Sequence, residues 1–406
     1  MKVLHVITGL GIGGAEQQLR LLLPHMDRVR GSVVTLTNPG PVADALRADG
    51  VPVAHLGMRG NRDLSALPRL TRLIRDGDFD VVHTHLYRAC LYGRLAARLA
   101  GVRTVVATEH SLGAEGIEGR PLSAGARALY LAGERLGTST VAVSDTVARR
   151  LVAWGVRPSR VTVVPNGVDA ERFAFDPAAR RAARRRLGLA PGAYVVGGVG
   201  RLVAGKRFDT LIRAVAALPG DPRLLLVGEG DQREPLERTA RECGVADRVI
   251  WAGAVDRDLP GLLAAMDVFV SASADEAFGL AIVEALAAGL PVRYVACPAL
   301  DDLPPGEAPG ARRVGGTVPE LVAALESVTR ERLAVPAAVR RYDVRRGARR
   351  LMALYEHLHH GRPLHDGPPF PDGLHGRDDG PRRLHDGPHG LHDGLHDDLH
   401  DGASSR

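Results

Sequence analysis

The stretch YVVGGVGRLVAGKRFDTLI, residues 194–212, reads as a short buried strand (Tyr194–Val199), a glycine turn at Gly200, two cations (Arg201 and Lys206) and a helix opening near Arg207. Strand, glycine turn and helix in that order are the repeating unit of a parallel sheet wrapped by helices. The N-terminus shows the same order: Lys2–Thr8 is followed by GLGIGGAEQQ, residues 9–18, with a helix expected from about Gly14. Outward from these two anchors, apolar β-branched runs alternate with helical stretches. Strands are expected in the first half at Lys2–Thr8, Ser32–Thr37, Val51–Leu56, Phe79–Thr84, Thr104–Thr108, Thr140–Val143 and Val161–Val164. A polar, arginine-rich interval around Pro165–Pro191 breaks the alternation. It restarts with Tyr194–Val199 and runs on through Arg223–Val227, Arg248–Trp251, Val268–Ser271 and Val292–Val295. The expected fold class is α/β, with two Rossmann-like parallel-sheet domains facing across a cleft. Residues 1–170 form the first and residues 171–340 the second. A helix over 341–360 is expected to pack back on the first domain, and the Leu-His-Asp-Gly repeats of 361–406 to form a disordered tail dispensable for catalysis.

The composition is that of an ordinary globular chain: 406 residues, 45% apolar and 25% charged, enough to bury two sizeable cores. No run approaches the ~20 apolar residues of a membrane helix, and the chain opens on a strand rather than a charged-then-apolar leader. Three scattered cysteines, Cys90, Cys243 and Cys297, form neither a disulfide framework nor a Cys-x-x-Cys zinc site. A cytoplasmic protein is the expectation. The net charge of +6 is uneven, because the five Arg and nine Asp of residues 361–406 leave +10 on residues 1–360. A basic body favours anionic partners. Nucleic acid is not expected among them, since the seven Phe and seven Tyr are nowhere interleaved with a basic stripe. Only two lysines occur, Lys2 and Lys206, so the one in the 194–212 stretch stands out.

Several segments could carry chemistry. Glycines in 9–18 let backbone amides approach an anion at a helix start. Their spacing is not the dinucleotide fingerprint, and the next strand ends in Thr35–Thr37 without the acidic residue such a site uses. Arg201 and Lys206, emerging at a sheet's carboxyl edge, can neutralise a diphosphate. The segment DEAFGLAIVEALAAGLPV, residues 275–292, places Glu276 in a loop, Phe278-Gly279-Leu280 around a helix start and Glu284 inside that helix, eight residues after Glu276. That pattern suits hydroxyls on carboxylates and phosphates at the helix end. It is equally the pattern of a first-turn helix charge and a solvated face residue. His83 and His85 share one strand face. With no third ligand identifiable beside them, cleft lining or packing is favoured over a metal.

Taken jointly, GGAE at 13–16, PNGVD at 165–169, GRLVAGKRFDTLI at 200–212, LLLVGEGDQREPL at 224–236 and the Glu-x7-Glu pair of 276–284 resemble the large retaining glycosyltransferase family called group 1. The resemblance spans about residues 1–357. It implies the GT-B fold and transfer of a sugar from a nucleotide donor to a hydroxyl acceptor, with retention at the anomeric carbon, in cell-surface polysaccharide or glycolipid synthesis. It further implies that Arg201 and Lys206 bind the donor diphosphate, Glu276 the transferred sugar and Glu284 the ribose. Phe278, Gly279 and Leu280 would present backbone groups to sugar and phosphate. Gly13 and Gly14 would flank the reacting centre from the first domain, and His110 in VVATEHS would lie near the sugar's C6 side. No cofactor and no metal is implied. The partners are a nucleotide sugar and a saccharide or lipid-linked acceptor.

Alternatives within the same fold are a sugar-nucleotide epimerase, a glycoside phosphorylase or a non-catalytic carbohydrate-binding relative. The chain departs from the family pattern after residue 292 with an acidic, proline-rich insert near 299–310; Arg293, Asp301 and Asp302 could alter the donor or interdomain region there, and surface decoration is the favoured reading. Residues 64–77 and 124–137, apolar with Arg on one side, read as ordinary helices packed on the sheet, with peripheral contact on the inner face of an anionic membrane as the alternative.

Overall fold

Runs of Val, Ile and Leu with no polar alternation make strands that must be buried on both faces, which helices on each side of a parallel sheet provide. The computed structural model describes residues 1–60, 63–113, 116–117, 120–121, 123–255 and 258–361. The tail expected to be disordered, apart from Gly361, lies outside these residues. In the first lobe the strands are β1 (Lys2–Ile7), β2 (Arg30–Thr35), β3 (Val53–His55), β4 (Val81–His85), β5 (Thr104–Glu109), a small hairpin β6 (Gly116–Ile117) and β7 (Arg120–Pro121), β8 (Ser139–Ala142) and β9 (Val161–Val163). All but the hairpin form one parallel sheet in the order β3-β2-β1-β4-β5-β8-β9. The register sets His5 beside His83 and Ile7 beside His85, with His85 beside Thr108 on the other flank.

The second lobe repeats the plan with β10 (Val195–Val199), β11 (Arg223–Val227), β12 (Val249–Gly253), β13 (Val268–Ser271), β14 (Val292–Tyr294) and β15 (Ala311–Arg313), ordered β12-β11-β10-β13-β14-β15. In each sheet the strand order reverses once, between β1 and β4 and between β10 and β13. The loops leaving the carboxyl ends of those four strands diverge and open a crevice, which is where α/β sheets bind ligands. Among the described residues, two of the three non-glycine residues with positive φ sit in such loops: Leu86 after β4 (φ 72°) and Arg207 after β10 (φ 52°). Backbone held there is costly, ~1–3 kcal/mol, and is retained where the surroundings over-determine it.

The arginine-rich interval between the lobes is largely a helix, Pro177–Arg186. Asp176 caps it by accepting from the Ala178 amide, and Pro177 occupies the first turn, where a missing N–H costs nothing. Two of its five arginines are drawn inward. Arg180 and Arg184, one turn apart, both pair with Asp267 (2.5 and 2.8 Å), and Arg184 also donates to the carbonyls of Ala190, Pro191, Ala193 and Ala265. The guanidinium groups thus tie off carbonyls that burial would otherwise leave unpaired.

The helix Val344–His360 returns to the first lobe. Ala348, Leu351, Met352, Leu354 and Tyr355 join the core formed by Val3, Ile7, Leu19 and Val106. The crossover beside it is pinned at Gly167, whose amide donates to Gln18 Oε1 (2.6 Å) and whose carbonyl accepts from Gln18 Nε2 (2.6 Å). A Cβ at position 167 would come within 2.5 Å of Val344 Cα, so glycine is required for this approach.

Candidate active site

The second lobe's switch point gathers the strongest group. Arg201 is exposed just past β10, and Lys206 ends the short turn Ala204–Lys206. Lys206 Nζ donates to Glu276 Oε1 at 2.5 Å, across from the loop that follows β13. Ser273 Oγ, donating to the carbonyls of Gly205 and Asp275, ties the two loops together. The β10 loop is held from its other side by Gly228 after β11. A Cβ there would overlap the carbonyl of Gly200, so the two strand ends close on each other through bare backbone.

The helix Leu280–Ala287 begins at this point. Gly279, at φ 97°, is its N-cap, and any side chain there would lie 2.5 Å from Cys297 Sγ. The amides of Ile282 and Val283 bond back to the Gly279 carbonyl. The amides of Leu280 and Ala281 precede that bonding and, with the helix dipole, form an anion-binding end. Of the Phe278 backbone groups, the carbonyl is already taken, accepting from the Ala299 amide and Cys297 Sγ. The Phe278 ring is buried edge-on against Tyr342, so the residue anchors the helix start from inside the core. Glu284 sits part-buried one turn along. Burial pushes its carboxyl up to about 7, with Arg172, from the segment between the lobes, pulling the other way.

In the first lobe, Gly13 caps the helix Gly14–Leu22 after β1, and a Cβ at Gly14 would meet open space. His110 follows β5, and its Nε2 is 3.1 Å from His85 Nδ1 at the end of β4. Beyond His110 the chain reaches the second lobe. Arg150 Nη1 donates to the carbonyls of Leu112 (2.8 Å) and Glu276 (3.3 Å), and Nη2 pairs with Asp275 at 2.7 Å. Ser144 caps the helix Asp145–Trp154 by accepting from the Val147 amide, and donates its own hydroxyl proton to the Ala277 carbonyl at 2.7 Å. The loop carrying Glu276 is therefore seated on the first lobe. No described hydrogen bond links Gly13 or Gly14 directly to the second lobe.

Sequence reasoning missed Arg150, Ser144 and Asp275, and misread the insert. Asp302 is not surface decoration. It accepts from the Thr146 amide and hydroxyl (both 3.0 Å) and from Arg149 (2.8 Å), placing a carboxylate at the N-terminus of a first-lobe helix. Asp145 beside it has its carboxyl pushed up, by burial first and by the Asp302 charge next. Arg293 is buried and donates to the carbonyls of Ala324 and Val292, and Asp301 accepts from the Cys297 amide. A third histidine also joins His83 and His85: His5 of β1, with ligand nitrogens of all three within 4.8 Å of one another. Five of their six ring nitrogens already have hydrogen-bond partners, so the cluster is a bonded network before it is a ligand set.

Two family descriptions match the sequence: Glycosyltransferase Family 4 over residues 12–172 and Glycosyl transferases group 1 over residues 179–302. Among curated relatives, a GDP-mannose-dependent alpha-mannosyltransferase of Mycobacterium tuberculosis is 32% identical over 69% of this chain and 75% of its own length. A 2-deoxystreptamine glucosyltransferase of Streptomyces kanamyceticus is 30% identical over 81% of this chain and 88% of its own. A UDP-Gal:alpha-D-GlcNAc-diphosphoundecaprenol alpha-1,3-galactosyltransferase of Escherichia coli is 32% identical over 61% and 66%. Among solved structures, Anabaena Alr3699/HepE in complex with UDP-glucose superposes with a TM-score of 0.75 at 24% identity, covering 87% of this chain and 98% of that one. This last likeness is one of fold.

Proposed function

The chain belongs to the group 1 glycosyltransferases of GT-B fold, and on that footing we propose that it moves a sugar, with retention, from a nucleoside diphosphate donor against the second lobe to an acceptor hydroxyl presented by the first. One observation carries the reading: the only lysine besides Lys2 meets Glu276 at a topological switch point, beside the open end of a helix and against the other lobe. Arg201, Lys206 and the Leu280 and Ala281 amides offset the diphosphate charge, and that charge grows as the sugar departs. Positive groups already in place support a transfer that draws on no metal or other cofactor. When the diphosphate enters, Lys206 turns from Glu276 to phosphate and frees that carboxylate for sugar hydroxyls. Glu284 takes the ribose, and His110, Gly13 and Gly14 border the sugar from the first lobe. A departing phosphate oxygen on the same face accepts the acceptor's proton, so no enzyme nucleophile is used. Contact between the lobes keeps water, the competing acceptor, from the centre.

Of the three relatives, the Escherichia coli enzyme acts, by its name, on a lipid-linked sugar, which supports a cell-surface glycan or glycolipid role; the aminocyclitol named for the Streptomyces enzyme leaves a small soluble acceptor as the other reading. No helix among the described residues is long and apolar enough to cross a membrane. Peripheral contact with an anionic bilayer is supported by Leu95 and Leu99 on the helix Tyr87–Leu99 and Leu129 on the adjacent helix Ala124–Glu134. These side chains are exposed beside Arg103 and Arg135, also at the surface.

Thermal unfolding in the presence of UDP-glucose, UDP-galactose and GDP-mannose tests the donor assignment. One of them at a hundredfold excess over its Kd is expected to stabilise the protein by about 2.7 kcal/mol. The stabilising donor should then label a saccharide or lipid-linked acceptor. Absence of both a shift and transfer with all three donors argues against the reading.

Glu284 gives a second check. An acid whose folded pKa, about 7, exceeds its ordinary 4.5 binds its proton more tightly when folded, so this contribution is present at low pH and lost as pH rises through 7. Glu284→Gln removes the titration at constant shape. The variant should melt with the parent near about pH 5 and above it at about pH 8. Parallel curves across that range would contradict the buried placement.

A further inference from the structure

Three imidazoles run in a line from the core of the first sheet to the end of β5. His5 Nδ1 lies 3.1 Å from His85 Nε2, and His85 Nδ1 lies 3.1 Å from His110 Nε2. Successive rings are tilted by only 24° and 34°, compatible with N–H···N bonds that lie near both ring planes. His83 braces the middle ring. Its own nitrogens are bound to Tyr355 Oη (2.6 Å) and Thr108 Oγ1 (2.7 Å), and its centroid is 4.2 Å from that of His85. At the two ends, His5 Nε2 and His110 Nδ1 are buried with no partner among the described residues.

Burial keeps these rings neutral, holding His5 down to about 3 and His110 to about 4, with His85 also well below its ordinary value. A neutral imidazole has one N–H and one lone pair. His85 must therefore donate through one nitrogen and accept through the other, and its choice dictates that of both neighbours. Only two arrangements satisfy every internal bond: all three rings protonated on Nδ1, or all three on Nε2. Either arrangement leaves one end N–H without an acceptor among the described residues, on His5 Nε2 or on His110 Nδ1. His5 is 1% exposed inside β1, whereas His110 is part-exposed just past the carboxyl end of β5, so an entering group can supply an acceptor only at the His110 end and His5 Nε2 carries the lone pair.

We propose that His5 and His85 are positioning residues that lock His110 as the Nδ1–H tautomer, so that it meets the donor sugar as a hydrogen-bond donor only. This rests on the reading of His110 as a sugar contact. A hydroxyl or ring oxygen aimed at His110 must then accept. A sugar presenting a group that needs the opposite sense would have to reverse all three rings, which makes the relay a selector acting from the sheet interior. His5, within β1 and 1% exposed, is placed to act through its neighbours.

The experiment is long-range 1H–15N NMR of the full chain labelled with 15N-histidine, with peaks assigned by single substitutions. Expected in the unliganded parent are three neutral rings, His5, His85 and His110, all protonated on Nδ1. In His85→Phe and in His5→Phe, His110 should become a mixture of tautomers. Turnover of whichever of UDP-glucose, UDP-galactose or GDP-mannose is used should fall about tenfold in His85→Phe, in the range seen when an orienting partner of a functional imidazole is lost. Affinity for UDP and GDP, which lack the sugar, should hold. Different tautomers along the line in the parent, or a His110 signature unchanged in both folded variants, would overturn the proposal. His110→Ala separates the two layers: undiminished turnover there removes the sugar contact while the tautomer measurement still stands or falls by itself.

Discussion

Lys206→Ala is expected to lower kcat/KM for sugar transfer by about 10²–10³, the loss of ~3–4 kcal/mol typical when one group facing developing charge is removed. The melting temperature should change little, because the Lys206–Glu276 pair is part-exposed, at 27% and 14%, and pairs open to solvent contribute about 0–1 kcal/mol. Lys206→Arg should recover only part of the rate. Arginine keeps the charge, but its planar fork is bulkier than an ammonium at the end of a turn whose last residue fixes where the charge sits. A folded Lys206→Ala protein that turns over donor at close to the parental rate would sink the assignment of this switch point as the donor site.

Gly228→Ala should damage both stability and donor binding. Gly228 has φ 140°, and its Cβ would overlap the Gly200 carbonyl, part of the backbone that leads directly into Arg201. Backbone, unlike the tip of a long side chain, cannot move aside cheaply. The β10 loop must shift, or the β11 end must. A loss of about 3 kcal/mol or more is expected, seen as a melting temperature lower by several degrees, with nucleotide affinity falling in parallel. Gly188→Ala makes a useful comparison, since its Cβ meets nothing within 4 Å although φ is 67°. Equal losses at both positions would mean that the positive φ, and not the closure of β10 on β11, accounts for the effect.

What was legible in the sequence was local. Buried parallel strands are apolar runs, and the loops at their carboxyl ends advertise themselves by glycine and by cations. Gly13, Arg201, Lys206, Glu276 and Glu284 could therefore be read in place. Contacts between distant segments left no such trace. Arg150 meets Asp275 across 125 positions and His83 meets Tyr355 across 272, and nothing near either residue announces its partner. His5 looked like one polar residue in a strand. Only the register of β1 on β4 brings it to His83 and His85. The helix Pro177–Arg186 was hidden for a related reason: an arginine-rich run reads as solvated until carbonyls and Asp267 are found waiting for it. The insert misled through composition, since Asp302 looks like any surface carboxylate until the amide of Thr146 is placed opposite.

The helix Val344–His360 completes the core of a lobe whose sheet ends at Val163. A ribosome making the chain at 5–20 residues per second spends roughly 10–35 s on the intervening second lobe before that helix emerges. Throughout that interval the apolar surface around Leu19, Met26 and Val106 lacks its lid. The second lobe draws on later chain only as far as Tyr342, whose ring packs on Phe278 and whose hydroxyl donates to the Ala299 carbonyl, so it can condense before that helix is made. Synthesis from the N-terminus thus favours a folding order that runs against the order of the chain, with the nascent first lobe as the stage most exposed to chaperones and to aggregation.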